Sequence, residues 1–538
     1  MPTASIAFVL NGAAVAVDAD VERGESLLNV LRERLGVVSA KDGCAPQGQC
    51  GCCTVLVDGE PRVACVTPAA RVEGRAVTTI EGLDPAERDR AAAAFVATGG
   101  SQCGFCTPGI VMRFAGTRTR AVDRSLAAHL CRCTGWVTVR DAVSADTSMN
   151  APARAPRDLA AAARRAALEA DGTQRVDALV PLGATPFADD TAPRDALVAV
   201  PLPPDSAAES IEAAGMRWVV ADSLLAARAR AAKVQGRRTT VGVRAPLVHL
   251  MPECPPGGVQ LATQWVEPAY LEPDASWCEP GGAPASPLAN AGAFGGKSHS
   301  TAPRAARELA DHFGRTVRVA YSREDVVRLG PKRPPIAAVA VLRDGVVEID
   351  GFVARGADEP RVWPTLPGIE VRARWSEVDV AGPPVSSDLR ASGLAEQAVL
   401  VAGALGRDVE VVTPTGARAS ATVTVENGKV ARVDVTLAAG DPLDEVVLRS
   451  YAIGAAHMAL GWVTSEGLAV DAETGEIHDL TIRSFGVLRA SETPPINVTI
   501  AGDAAPARAR ATDAVFAAVA ASAWNALGRP TTFPAPRR

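Results

Sequence analysis

The sequence predicts an α+β protein of several domains, and three observations support this fold class. The chain has 538 residues, more than one ordinary domain, and 47% of them are hydrophobic, enough to build several cores. The opening segment shows strand patterns, residues 85–143 show alanine-rich helical patterns, and the remainder mixes both. We therefore expect a strand-rich domain over residues 1–82, a helical bundle over 83–146, a linker over 147–172 and a shortened α/β region over 173–538.

The strand-rich domain begins with a predicted hairpin. Residues 5–18 alternate apolar and polar side chains around Asn11-Gly12, a dipeptide typical of two-residue hairpin turns. Leucines recur at helical spacing over residues 25–35, which indicates a helix. Further strands are predicted over residues 54–57 and 75–80. We expect a small sheet with one helix packed against it, the architecture of ferredoxins.

Helices, a linker and a second hairpin are predicted after residue 85. Residues 85–143 contain helical segments, and the segment around residues 144–171 has the composition of a partly helical linker. Beyond it, a helix is predicted over 303–312 and a strand over 337–342. Residues 422–437 alternate around Asn427-Gly428, which predicts a second hairpin.

Charge and hydropathy exclude several classes of function. The net charge is −6 and the sequence pI is near 5.7, which argues against nucleic acid and anionic membrane surfaces as partners. No run of eighteen apolar residues occurs, and the N-terminal segment lacks the pattern of a signal peptide. We expect a cytoplasmic protein without membrane insertion.

Eight cysteines carry the chemistry that the sequence predicts. The first group has gaps of five, two and eleven residues, and the second consists of two close pairs separated by 24 residues. Four thiolates in each group fit a 2Fe-2S cluster, so we expect two such clusters and an electron-transfer function. Neighbouring glycines such as Gly43 and Gly51 allow backbone amides to point toward the sulfides. The predicted ligands are Cys44, Cys50, Cys53 and Cys65, then Cys103, Cys106, Cys131 and Cys133.

Two other interpretations of the cysteines remain open. A disulfide scaffold requires an oxidising compartment, which nothing else in the sequence indicates. A structural zinc site uses paired cysteines too, but the one-residue spacing of Cys131 and Cys133 is unusual for zinc. The three remaining cysteines have no ligand partners by spacing and are expected to be buried, inert thiols. They are Cys52, Cys254 and Cys278.

Several motifs of residues 5–143 resemble the iron-sulfur subunit of the molybdenum hydroxylases, the family that includes xanthine dehydrogenase and aldehyde oxidase. The matching segments are LNG, GESLLNVLRERLG, CGCCTVLVDG, TTIEGL, QCGFCTPG and CRCTGW. The resemblance implies that the first cysteine group holds a ferredoxin-like cluster. It implies that the second holds a cluster in a helical bundle beside a molybdopterin cofactor, and that Gln102 touches the pterin.

The C-terminal region resembles the family's molybdenum-binding subunit in pieces, at about half its usual length. The motif GAFGGK implies that Phe294 and Gly295 contact the cofactor, and Ser298 follows it where purine-oxidising relatives place a glutamate. The family's catalytic glutamate, a general base, corresponds to Asp513, whose side chain is one methylene shorter. Arg390 corresponds to a substrate-orienting arginine. The family's glycine-glutamine-glycine loop is missing after residue 172.

Three functions follow as hypotheses. The first is a two-cluster electron-transfer component of a molybdenum hydroxylase-type oxidoreductase, whose non-catalytic molybdenum-type domain docks a partner chain that holds molybdopterin. A flavin protein or another acceptor would receive the electrons. The second is a complete small hydroxylase of a purine, aldehyde or N-heterocycle that binds molybdopterin itself and uses Asp513 as base. The third is a redox-sensing interaction protein.

Overall fold

A computed structural model describes most of the chain, and it has a mixed α+β architecture. The described residues are 4–20, 24–116, 121–147, 157–170, 172–203, 206–232, 236, 242–290, 292–355, 366–386 and 389–534. Four sheets occur in these ranges, three of five strands and one of four. The first sheet is formed entirely by the first 80 residues, and the other three by residues after 196.

The first sheet has the strand order β2-β1-β5-β3-β4. Leu10 pairs with Ala13 across Asn11 and Gly12, so the predicted two-residue hairpin turn is confirmed. The predicted helix begins at Ser26, whose side chain caps it, and continues as a π-helical turn. The elements are β1 (Ala4–Leu10), β2 (Ala13–Ala19), α1 (Leu27–Asn29) with the π turn Val30–Arg34, β3 (Thr54–Val57), β4 (Glu60–Val63) and β5 (Ala76–Thr78).

The predicted helical segments follow. Asp84 caps the first of them and Pro85 occupies its first turn, while Gly99 ends it in the left-handed conformation, with φ of 67°. The second begins immediately after Cys106, so a cysteine lies at a helix start. The helices are α2 (Pro85–Thr98), α3 (Thr107–Ala115), α4 (Val122–Leu126) and α5 (Val137–Thr147).

The expected linker over residues 147–172 contains a packed helix. Helix α6 (Leu159–Ala170) buries Ala162 and Ala166 against Val447 of the C-terminal region. Residues 148–156 and 171, which belong to the same expected linker, lie outside the described residues.

The C-terminal region contains the other three sheets. Their orders are β10-β11-β6-β8-β7, β14-β13-β12-β9-β19 and β15-β16-β17-β18. The predicted hairpin at Asn427-Gly428 joins β16 and β17. The strands are β6 (Leu197–Pro201), β7 (Ile211–Ala213), β8 (Met216–Ala221), β9 (Val259–Thr263), β10 (Ala275–Cys278), β11 (Val317–Ala320), β12 (Ile336–Arg343), β13 (Val346–Ala354), β14 (Glu370–Val378), β15 (Val411–Val412), β16 (Arg418–Glu426), β17 (Lys429–Ala438), β18 (Ile496–Ile500) and β19 (Thr532–Phe533).

Helices of the C-terminal region pack on these sheets. One of them, Glu445–Thr464, is long and apolar enough to cross a membrane by length and composition, but 83% of its most apolar window is buried inside the protein, as in a core helix. The helices are α7 (Ala188–Thr191), α8 (Leu224–Ala231), α9 (Ala302–Phe313), α10 (Arg323–Leu329), α11 (Ser392–Leu405), α12 (Glu445–Thr464) and α13 (Thr512–Ala526).

One hydrophobic core joins the N-terminal and C-terminal parts of the chain. Leu31 and Phe95, from the first part, belong to the same buried cluster as Trp265, Leu468 and Phe485 from the last. Because apolar surface from both parts is removed from water together, burial holds the cysteine-bearing segment against the C-terminal region.

Candidate functional site

The first cysteine group lies in the loop between α1 and β3 and on the segment after β4. The thiol of Cys44 contacts those of Cys50 and Cys65, and Cys65 also contacts Cys53. All four are buried. These contacts bring the four predicted ligands of the first group together.

Backbone amides point at the sulfurs of this group. The N–H of Gln47 donates to Cys44 Sγ at 3.2 Å, and the N–H of Cys65 donates to Cys53 Sγ at 3.4 Å. A Cβ added at Gly43 would lie 3.1 Å from Cys50 Sγ, so a glycine leaves room beside the sulfur there. Amide donors around buried thiolates are the environment that stabilises an iron-sulfur cluster.

The second group converges at the start of α3 and on the turn before α5. All four of its cysteines line one small cavity, and Cys103 Sγ lies 3.6 Å from Cys133 Sγ. A hydrogen bond from Cys106, opposed by burial and assisted by the Thr134 hydroxyl, lowers the pKa of Cys131 to about 6. A sulfur that accepts such bonds is suited to bind metal as a thiolate.

The thiols of the second group contact one another in pairs, whereas those of the first form a chain of contacts. Contacts link Cys106 with Cys131 and Cys103 with Cys133, and in the first group Cys44 contacts both Cys50 and Cys65. In the part of the chain that the structure describes, no three His, Cys, Asp or Glu side chains surround a site for a single metal ion. Four thiols that lie close together fit a centre with two irons, since each iron takes two thiolates. The donor set therefore fits 2Fe-2S clusters, and the ligand assignment itself stays a prediction.

The two groups are joined by backbone. The N–H of Leu130, which precedes Cys131, donates to the carbonyl oxygen of Cys50 at 3.0 Å. Helix α3 packs closely on the first loop, because a Cβ added at Gly109 would lie 2.4 Å from the carbonyl oxygen of Gly51. Cys52, expected to be an inert buried thiol, is fully buried in this loop.

His129 is a buried histidine that lies between the two cysteine groups, and it was not predicted from the sequence. Its side chain is beside Arg113, whose Nε donates to His129 Nε2 at 3.3 Å. Burial, followed by the charges of Arg113 and Arg483, lowers the pKa of His129 to about 3. The imidazole is therefore neutral at ordinary pH. Its position two residues before Cys131 is the signal that could have identified it.

A cavity of about 130 Å³ lies beside the second cysteine group. Cys103 and Cys133 form part of its wall, and apolar side chains such as Met458 and Phe516 form another part. It brings together the remaining residues that the family resemblance selects. These are Gln102, Phe294, Gly295, Ser298, Arg390 and Asp513.

Two polar groups of this cavity, Gln102 and Asp513, are engaged by other residues of the protein. Gln102 donates from Nε2 to the carbonyl oxygen of Cys133 at 3.0 Å and to the Ser450 hydroxyl at 2.9 Å. Asp513 forms an ion pair with Arg510 at 3.0 Å. Ligand pockets usually enclose about 300–1,000 Å³. The cavity is smaller than this range, and both Gln102 and Asp513 are engaged by other residues of the chain.

A buried ion cluster connects the second cysteine group with the cavity. Arg132, between two predicted ligands, forms a bidentate pair with Glu466 at 2.6 and 2.8 Å. Arg390 pairs with the same carboxylate, and all three side chains are nearly inaccessible to solvent. Burial raises the pKa of Glu466 and Arg132 opposes that shift. In the sequence, Glu466 could have been identified as a single acidic residue that follows a long apolar segment.

A second set of buried charges lies near the first cysteine group. Arg32 pairs with Asp189 at 2.8 Å and with Asp190 at 2.7 Å, and Lys41 pairs with Asp190 at 2.5 Å. Arg318 on β11 also pairs with Asp189. These pairs connect the N-terminal domain to the C-terminal region, and each charge needs its partner because burial removes its hydration.

Comparisons with known proteins agree with this geometry. A family model described as the [2Fe-2S] binding domain matches residues 79–144. The chain is 38% identical over 130 residues to the xanthine dehydrogenase iron-sulfur-binding subunit of Escherichia coli O157:H7, which covers 22% of this chain and 80% of that protein. It is 36% identical over 145 residues to the isoquinoline 1-oxidoreductase subunit alpha of Brevundimonas diminuta, covering 26% and 94%. It is 40% identical over 162 residues to the xanthine dehydrogenase of Emericella nidulans. This match covers 27% of this chain and only 12% of that protein.

The fold of the chain is similar to the folds of two solved aldehyde oxidoreductases. The aldehyde oxidoreductase from Desulfovibrio gigas superposes with a TM-score of 0.72, over 99% of each chain, at 14% sequence identity. The corresponding enzyme from Desulfovibrio desulfuricans gives 0.71, over 98% of this chain and 99% of that chain, also at 14% identity. At this identity the likeness concerns the fold alone.

Proposed function

Because the chain belongs to the molybdenum hydroxylase family, we propose that it is the electron-transfer component of an oxidoreductase of this kind, carrying two 2Fe-2S clusters. A partner chain holds the molybdenum cofactor and docks on the C-terminal region. The observation that supports this proposal most is that the cavity adjoins the second cysteine group, which in turn adjoins the first.

The contacts between these three sites support a direction for the electrons. Cys103 and Cys133 form part of the cavity wall, so the second cluster is the one nearest that cavity. The hydrogen bond from Leu130 to Cys50 then connects the loop of the second cluster with that of the first. Electrons from the partner enter the second cluster and leave from the first. A flavin protein or another electron acceptor receives them.

The state of the cavity supports a partner as the holder of molybdopterin. Its volume of about 130 Å³ is below that of ordinary cofactor sites, and Arg510 neutralises Asp513. In the partner chain, the cofactor would supply hydroxylation chemistry, which yields two electrons per substrate, and the clusters would take these electrons one at a time. In this chain, Gln102 holds the turn that carries Cys133 rather than offering its amide N–H groups to a ligand.

The cellular setting follows from the same chemistry. Buried free thiols poised to bind iron require a reducing compartment, so we propose that the protein works in the cytoplasm. Its expected partners are the molybdenum-containing subunit and the electron acceptor.

Metal analysis of anaerobically purified protein tests this function. We expect about four irons per chain, two for each cluster, and no molybdenum. Addition of the molybdenum-containing partner should restore reduction of the clusters by substrate. Stoichiometric molybdopterin and hydroxylase turnover in the isolated chain would overturn the proposal.

A second candidate function is a complete small hydroxylase. The observation in its favour is that Gln102, Phe294 and Asp513 all line one cavity, whose wall also includes Cys103 and Cys133. In that case Asp513→Asn abolishes turnover without loss of iron, whereas Asp503→Asn, which also changes an acid paired with an arginine, leaves turnover intact. Turnover that survives Asp513→Asn excludes this candidate.

A further inference from the structure

We propose that His129 is a positioning residue that donates a hydrogen bond from Nδ1 to the first cluster and raises its reduction potential. This inference rests on the proposed presence of a cluster at Cys44, Cys50, Cys53 and Cys65. It assigns a task to a buried histidine that the family motifs and the proposed mechanism leave without one.

The position of the ring is fixed by the backbone on both sides. The N–H of His129 donates to the carbonyl oxygen of Leu126 at 2.9 Å, and the next N–H, of Leu130, donates to the carbonyl oxygen of Cys50 at 3.0 Å. His129 is 1% exposed. The backbone that carries the imidazole is thus held against the first cysteine loop.

The hydrogen bond from Arg113 determines the tautomer. A guanidinium group only donates, so His129 Nε2 must present its lone pair to Arg113 Nε. The proton of the neutral ring therefore resides on Nδ1.

The Nδ1 proton has no acceptor among the residues that the structure describes. Nδ1 lies against Gly51, since a Cβ added there would be 2.5 Å from it, and Gly51 stands between Cys50 and Cys52 with φ of 74°. Because Gly51 has no side chain, the His129 ring can approach the loop that surrounds the first cluster. A buried donor without an acceptor destabilises the folded protein.

A cluster supplies the missing acceptor. Thiolate and sulfide sulfurs accept hydrogen bonds, and each donor favours the reduced cluster because it carries one more negative charge. Donation from His129 hence raises the potential of the first cluster relative to the second. Electron transfer toward the first cluster becomes more favourable.

The experiment compares midpoint potentials of both clusters, followed by EPR, in the full chain and its variants. His129→Leu removes the donor, and we expect the equilibrium constant for electron transfer from the second to the first cluster to fall about tenfold, which is 59 mV for a one-electron couple. His129→Asn keeps an N–H donor and should restore most of the difference. His457→Leu is the matched control, because this buried histidine contacts Leu488 instead.

Pulsed EPR on protein labelled with ¹⁵N-histidine provides a second readout in the unmutated chain. We expect a nitrogen coupling and an exchangeable proton at the first cluster's signal, both absent in His129→Leu. Unchanged potentials in His129→Leu with both clusters intact would overturn the inference. If that variant does not assemble its first cluster, absence of the coupling in the labelled unmutated protein overturns it. Failure of the proposed function itself is distinguished by fewer than two cluster signals in the unmutated chain.

Discussion

The N–H of Leu130 donates a 3.0 Å hydrogen bond to the carbonyl oxygen of Cys50. Leu130 adjoins Cys131 of the second cysteine group, whereas Cys50 belongs to the first. One hydrogen bond thus links the loops of both proposed clusters. The two groups are far apart in the sequence, but the loops that carry them are in contact.

Removal of a first-group ligand should eliminate one cluster selectively. We expect Cys53→Ala to lose about half of the iron and one of two EPR signals, since each cluster needs four thiolates. Cys52→Ala changes the adjacent buried thiol, which is not a predicted ligand, and should retain all of the iron. Equal iron loss in both variants would contradict the ligand assignment.

The close approach at Gly51 should make this position intolerant of a side chain. Gly51→Ala places a Cβ 2.5 Å from His129 Nδ1 at a φ of 74°. Gly59→Ala has a similar φ of 78° but open space around it, so it measures the backbone cost of about 1–2 kcal/mol alone. We expect Gly51→Ala to lower the free energy of unfolding by about 1–3 kcal/mol more. Chemical denaturation of the two variants checks this difference, and equal losses would refute it.

The buried cluster of Glu466 with two arginines should be essential to stability. Glu466→Gln leaves Arg132 and Arg390 buried without a counter-charge, and we expect a loss of about 3–5 kcal/mol in the free energy of unfolding. Asp434→Asn breaks an exposed ion pair with Arg432 and should cost far less. Thermal and urea unfolding measure both. A comparable loss in the two variants would mean that the buried cluster has no special weight.

Glu272 should give the protein a pH dependence of known sign. Burial raises its pKa from 4.5 to about 7, with Lys297 opposing the shift. Between these values the folded state binds more protons than the unfolded state, so stability falls as pH rises from 4.5 to 7. The total is roughly 3 kcal/mol. Glu272→Gln should remove this slope from the curve of unfolding free energy against pH, and an unaltered slope would exclude the assignment.

Much of the local structure could be predicted from the sequence. The turns at Asn11-Gly12 and Asn427-Gly428 have a conformational preference that neighbouring residues alone determine, and both hairpins are present. The cysteine spacing likewise predicted two groups, and the thiols do converge.

Long-range relationships could not be predicted in the same way. The ion pairs of Glu466 with Arg132 and Arg390 connect residues that are 334 and 76 positions apart, and no local pattern encodes such pairing. The neutral state of His129 depends on burial and then on the charge of Arg113, which becomes its neighbour only when α3 packs beside the turn. The packing of the helix within the expected linker could not be predicted either, since alanine-rich composition does not say what the helix contacts.

The hydrophobic core shared by the two ends of the chain has a consequence for how the protein behaves when cut. A protease that nicks the backbone between α5 and α6 should yield two fragments that remain associated, because separation would expose apolar side chains and strip Arg132 of its carboxylate. The cysteine-bearing segment is therefore not a detachable electron carrier. Because the core is shared, we expect this segment to melt together with the rest of the molecule.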